Sequence, residues 1–158
     1  MTNALPSDIR VRLADRADVP AIVRLLADDV LGATRELPGE PLAEAYWNAF
    51  DAMSAQGGTE LYVADADGEI VGCLQLNVIH GLSRVGMTRG LIEGVRVSSR
   101  CRGRRIGEAM MTAAIDRARA LGCRVVQLTT DRTRVDAHRF YERLGFEATH
   151  VGMKLTLS

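Results

Sequence analysis

Lysine is almost missing from this chain: Lys154 is the only one, so 19 of the 20 basic residues are arginine. Aromatic residues make up only 4%, and cysteine occurs three times, at Cys73, Cys101 and Cys123. Three scattered cysteines build neither a disulfide framework nor a zinc cluster. His138 and His150 have no metal-ligand spacing to other donors, so no metal site is expected. No apolar run approaches the roughly 20 residues that cross a bilayer. Residues 1–10 lack the apolar centre of a secretory signal. A membrane protein, a secreted mini-protein and a zinc module are excluded, and a cytoplasmic protein is expected.

What is present reads as one globular domain over residues 1–158, with 47% apolar and 25% charged residues. The formal net charge is zero, yet it is unevenly spread. Residues 1–70 hold 13 acids against 5 arginines, a net −8, while residues 71–158 hold 15 bases against 7 acids, a net +8. Such asymmetry fits two surfaces facing partners of opposite sign, or a simple drift of charge along the chain.

Periodicity orders the elements. Ile9, Val11 and Leu13 alternate with arginines as a strand. A helix then starts at Asp18, a suitable N-cap, with Val19, Ile22, Val23, Leu26 and Val30 on one face. Residues 42–55 form a second helix. Residues 61–66 and 69–79 pair as a hairpin about Asp67-Gly68. A flexible stretch, 80–88, leads to a strand at 90–97. A helix at 105–121 follows, its stripe being Ile106, Met110, Ala113, Ala114 and Leu121. A strand at 124–129, a helix at 136–144 and a final strand region at 146–157 complete the series. Strand–helix–strand over 90–129 demands a right-handed crossover and a parallel pair. The expected architecture is a mixed α/β fold whose central sheet is partly antiparallel and partly parallel, with helices on both faces.

The densest chemical signal lies at residues 97–107, VSSRCRGRRIG, where a strand meets a helix. A helix amino terminus leaves N–H groups unpaired and carries about half a positive charge, which suits an anion. Gly103 and Gly107 let a phosphate near the backbone, and Arg100, Arg102, Arg104 and Arg105 add charge. Together they make a pyrophosphate cradle. Neither the phosphate-loop pattern GxxxxGK[ST] nor the dinucleotide pattern GxGxxG is present. A surface turn of solvated arginines is the plainer alternative. Nucleic-acid binding is disfavoured by overall neutrality and few aromatics.

Arg102-Gly103-Arg104-Arg105-Ile106-Gly107 resembles the [Q/R]-x-x-G-x-[G/A] signature after the fourth strand of the GNAT superfamily of acetyl-CoA-dependent N-acetyltransferases. Arg105 stands where the central glycine usually sits, and at helical φ/ψ an arginine meets no steric objection there. Downstream, residues 137–146, AHRFYERLGF, resemble the superfamily's A-x-x-[FL]-Y-E-x-x-G-F segment. Arg134 replaces the asparagine often found three residues before Ala137, so a pantetheine contact assigned to that asparagine must come from elsewhere or be absent.

The resemblance covers most of the chain and implies a GNAT-like fold with acetyl-CoA as co-substrate. It places the pantetheine arm along the backbone of Val95, Arg96 and Val97. The rest of the cofactor lies at Arg102, Gly103, Arg104, Arg105, Ile106, Gly107 and Glu108, and at Arg134, Ala137 and Phe140. The reaction it implies is direct attack of a primary amine on the thioester, and the acidic first half favours a small cationic acceptor. Asp28, Asp29, Glu36, Glu40 and Glu44 could attract such an amine, or form an ordinary solvated face. Tyr141 is the expected general acid for the leaving thiolate, the other reading being a core tyrosine. Reference pKa values of about 10 for the phenol and about 8.5 for a thiol make full proton transfer uphill by roughly 2 kcal/mol. The phenol must then act by hydrogen bonding or have its own pKa lowered.

Glu93 is the expected base. Strand alternation puts it on one face with Val95 and Val97, where burial would raise its pKa. A strand glutamate paired with Arg89 or Arg96 is the alternative. His80 could line the acceptor pocket, or simply be solvated. Homodimers are common among similar proteins, which allows one here. Other readings are a non-catalytic acyl-CoA sensor, an acetyltransferase acting on protein N-termini or lysines, and an arginine-patch nucleic-acid binder.

Overall fold

The computed structural model describes residues 8–157. Five strands form one sheet in the order β1-β2-β3-β4-β5: β1 Ile9–Leu13, β2 Thr59–Ala66, β3 Glu69–Ile79, β4 Arg89–Val97 and β5 Val125–Leu128. β1 to β4 pair antiparallel, and β4 and β5 pair parallel. The helices are α1 Val19–Leu26, α2 Glu44–Gln56, the single turn α3 Ser83–Gly86, α4 Ile106–Ala120 and α5 Val135–Arg143. The hairpin turns where expected, because Asp67 (φ 48°) and Gly68 (φ 94°) both take the positive φ of a tight primed turn.

α4 covers one face of the sheet. Its stripe of Ile106, Met110, Met111, Ala114 and Ala118 packs on Leu74, Leu76 and Ile92, all at most 1% exposed. Contact is close: a Cβ on Gly72 would lie 2.8 Å from Met110 Cε and 3.2 Å from the Arg96 carbonyl oxygen. α1 covers the other face, packing Ile22 and Leu25 on Val63 and Cys73. No described helix is long and apolar enough to cross a membrane.

Three expectations are corrected. α1 ends at Leu26, so Val30 is outside it and 87% exposed. Asp18 does not cap α1. Its carboxylate accepts from the Asp15 amide and from both terminal nitrogens of Arg12. Residues 146–157 form no strand. Their alternation is real, but no strand among the described residues pairs with it.

Candidate active site

β4 and β5 stay paired only from Arg89↔Val125 to Ile92↔Leu128. Beyond that they part, and residues 93–97 of β4 have no β5 partner. The right-handed twist of adjacent strands drives such separation once no cross-strand bonds oppose it. A register shift falls opposite the same stretch, between Cys73 and Gln75 on β3, with Gly94 at φ 60°. One extra residue in β4 turns the alternation over. Ile92, Val95 and Val97 therefore all pack towards the α4 core, while Glu93 lies on the opposite, open face.

This corrects the expected sharing of a face by Glu93 and the two valines. Glu93 is exposed, and its partner is not an arginine. Asn77 Nδ2 donates to Glu93 Oε2 at 3.0 Å, and Asn77 Oδ1 accepts from Thr59 and Gln75. A polar shelf of Thr59, Gln75, Asn77 and Glu93 thus floors the side of the sheet that the α1 cluster leaves open. Of the backbone groups along 95–97, the Val95 carbonyl already accepts from the Arg96 side chain at 2.9 Å.

The amino end of α4 sits at the mouth of this gap. A Cβ on Gly107 would lie 3.5 Å from Val97 Cγ2 and 3.3 Å from Phe140 Cζ, so helix start, strand end and α5 converge there. No side chain caps α4, which leaves the first-turn amides of Ile106 and Gly107 to an outside acceptor. The arginine charge is less free than expected. Arg100 pairs with Glu69, Arg104 with Asp8 and Arg105 with Glu108, whereas Arg102 has no ion-pair partner among the described residues.

Arg105 is not helical. It holds φ 60°, ψ 15°, the left-handed region, so it keeps the conformation a glycine would supply at this position. That conformation costs a non-glycine residue about 1–2 kcal/mol, against which stand glycine's extra unfolded-state freedom and a weak exposed ion pair. Arg105→Gly is accordingly expected to stabilise the fold by about 0.5–1 kcal/mol. Urea unfolding of both proteins checks this, and a lower midpoint for the glycine variant would contradict it.

Tyr141 lies half-buried on α5, edge-on to Phe140 and Phe146 at centroid distances of 5.2 and 6.0 Å. Its hydroxyl has no hydrogen-bond partner among the described residues. Burial pushes the phenol above its ordinary pKa, and the nearby charges of Arg96 and Arg134 only partly pull it back. A phenol so shifted is protonated at neutral pH. What it offers a thiolate is a hydrogen bond rather than ready proton release.

Asp29 was readable only as part of an acidic run. Its carboxylate instead bridges the gap, at 2.6 Å from Arg134 Nη2 beside α5 and 3.5 Å from Arg96 Nε on β4. Its other oxygen accepts from the Gly32 amide at 2.6 Å. Burial pushes the carboxyl up, but the Gly32 amide and the two guanidiniums outweigh it and hold it below the usual aspartate range. Asp28 accepts from the Ser99 amide at 2.8 Å. These two residues tie the chain after α1 to both sides of the gap; the Asp29 charge is matched by the two guanidiniums, whereas exposed Asp28 meets only the neutral amide and hydroxyl of Ser99. Arg134 is thus engaged with Asp29 at the position where asparagine was expected.

The remaining candidates lie apart. His80 is exposed and bonds Thr88 at 3.0 Å. Cys73 is buried, which pushes its thiol up to about 12. Cys73, Cys101 and Cys123 are all free thiols. Among the described residues no cluster of His, Cys, Asp or Glu could hold a metal ion.

Comparison with known proteins bears on the same region. The family model "Acetyltransferase (GNAT) family" matches residues 24–146. The aminoalkylphosphonate N-acetyltransferase of Salmonella typhimurium is 30% identical over 110 residues, 68% of this chain and 69% of that protein. The glucosamine 6-phosphate N-acetyltransferase of Trypanosoma brucei brucei is 29% identical over 152 residues, 95% and 97% of the two chains. A crystal structure from Bacillus halodurans C-125, described as a transcriptional regulator, superposes with a TM-score of 0.92 at 44% identity, covering 94% of this chain and 99% of that one.

Proposed function

This chain belongs to the GNAT acetyltransferase family, and we propose that it moves the acetyl group of acetyl-CoA to the primary amine of a small, cationic acceptor by direct attack. The observation that carries this reading is the parting of β4 and β5 beside an uncapped helix start, with a protonated tyrosine on the adjoining helix. The Ile106 and Gly107 amides, helped by Arg102, would hold the pyrophosphate. The open edge of β4 over residues 95–97 would take the amide groups of the pantetheine arm as one strand takes another. That cofactor supplies the thioester.

On the far side, Glu93 would receive the ammonium of the acceptor and accept its proton, with Asn77 fixing one carboxylate oxygen. Tyr141 would donate a hydrogen bond to the departing sulfur. Positioning across the gap would supply much of the rate. We place the reaction in the cytoplasm, where free thiols such as these three stay reduced.

A thiol-release assay with acetyl-CoA and a panel of polyamines, amino sugars and amino-acid derivatives tests the reading. Turnover with at least one amine is expected, and release of thiol with none would count against it. Glu93→Gln should lower kcat about 10-fold, below the usual range for a general base, because water reaches this exposed carboxylate and can substitute for it. An unchanged kcat would remove Glu93 from the reaction.

A further inference from the structure

Arg89, the first residue of β4, carries a charge that nothing else in the described fold answers. Its side chain makes no hydrogen bond and no ion pair with any described residue, although Arg89 is half-buried. Nε is buried and unpaired, while the terminal nitrogens reach solvent. A cationic donor buried without an acceptor is costly to leave so. Arg12, Arg96, Arg117 and Arg134, by contrast, each face a carboxylate within ion-pair distance.

The strand fixes where this charge stands. Gly90 and Ile92 face the α4 core: a Cβ on Gly90 would lie 3.3 Å from Leu76 and 3.4 Å from Ala118, and Ile92 is 1% exposed. Alternation then puts Arg89, Leu91 and Glu93 together on the opposite, open face. Opposite them on β3 are Ile79, Asn77 and Gln75, the last two belonging to the polar shelf. Arg89 and Glu93 are four residues apart, a Cα separation of about 13 Å at 3.3 Å per residue. They do not pair with each other. Glu93 takes Asn77, and Arg89 Nη1 lies away from the gap, where a Cβ on Gly81 would come within 3.9 Å. One face thus presents a carboxylate at the gap and an unmatched guanidinium beyond it, with Leu91 between.

We infer that Arg89 binds an anionic group of the acceptor, which makes the substrate an amine carrying a carboxylate or phosphate at its far end. The inference rests on the proposed acetyl transfer and adds the acceptor's second charge to it. A planar guanidinium suits either anion, through paired hydrogen bonds. With the reacting amine on Glu93, the anion must stand several bonds away. An amine whose carboxylate is on the adjacent carbon is too short to reach both ends. The connecting carbons of a longer one lie over Leu91.

The test is thiol release from acetyl-CoA with three amines of one chain length: aminohexanol, aminohexanoate and aminohexyl phosphate. One of the two anionic amines is expected to exceed aminohexanol about 10-fold or more in kcat/KM, as charge-assisted hydrogen bonds allow. The better of the two identifies the anion. Arg89→Gln should bring that ratio to about one, and Arg89→Lys, which keeps the charge without the fork, should retain part of it. The comparison within the native protein stands even where a variant fails to fold. Calorimetric titration of the same amines into native and Arg89→Gln protein reads the site without turnover. Binding of an anionic amine that depends on Arg89, without thiol release, would uphold the site and count against the acetyl transfer alone. Equal kcat/KM for all three amines would overturn the inference and leave the transfer standing. A preference that survives Arg89→Gln would assign the anion to another cation and overturn it too. So would the absence of both binding and turnover.

Discussion

Tyr141→Phe is expected to lower kcat about 10²-fold or more, within the usual range for loss of an acid–base group, while acetyl-CoA affinity stays within about twofold. The substitution removes one hydroxyl and leaves the ring against Phe140 and Phe146. That hydroxyl has no partner among the described residues, so its loss breaks no hydrogen bond with them. The expected loss therefore falls on the chemical step and not on the fold. Because burial raises the phenol's pKa, the proposed role of the group is to donate a hydrogen bond to developing charge on sulfur. Steady-state kinetics with separate determination of kcat and the acetyl-CoA Kd checks this. Normal turnover would return Tyr141 to a packing role, and equal losses in kcat and affinity would point to a distorted cleft.

Arg12→Met is expected to cost about 3 kcal/mol of stability at pH 7, since it strands carboxylates whose counter-charge is removed. Arg12 reaches Asp18 with two nitrogens at 2.7 and 3.0 Å and Asp65 with its Nε at 2.9 Å. Side-chain exposures of 22%, 11% and 15% for the three residues keep solvent from replacing the arginine fully. Arg12 holds the Asp18 carboxyl below the usual aspartate range against the opposing effect of burial. For Asp65 the Gly68 amide contributes most and Arg12 next.

The sign follows from linkage. A carboxyl with a depressed folded pKa contributes stability above its unfolded value of about 3.9, and that contribution fades as pH falls through the lower folded value. The gap between native and Arg12→Met proteins should be widest at neutral pH and shrink below about pH 4. Denaturant unfolding across that range measures it. An equal gap at pH 3 and pH 7 would assign the cost to lost packing of the arginine stem.

Local signals carried much of this structure. The Asp67-Gly68 turn, part of the α4 stripe (Ile106, Met110 and Ala114) and the junction at 97–107 are legible because each depends on neighbours in sequence, whereas the expected Leu121 is exposed and Met111 and Ala118 complete the buried face instead. The Glu93 face was not. Its reversal comes from one left-handed glycine inside an otherwise regular strand pattern, and only the pairing with β3 shows that Gly94 is a bulge. Arg105 misled for a related reason: nothing local says that an arginine will be held at φ 60°. Asp29 acts through Arg96 and Arg134, 67 and 105 positions away, and distance in sequence hid it. The pattern over 146–157 predicts a strand, and that no described strand pairs with it is visible only once the sheet is assembled.

On the proposed reading, the parting of β4 and β5 holds acetyl-CoA, with its pyrophosphate on the start of α4. Calorimetric titration with acetyl-CoA, repeated with the form lacking the 3′-phosphate, tests it most directly. Both forms are expected to bind at micromolar strength or better, about −8 kcal/mol or more favourable. They should differ only modestly, because the pyrophosphate and pantetheine contacts are common to both. Absence of binding by either form would contradict this placement of the cofactor and turn attention to the Asp29–Arg134 pair that bridges the gap.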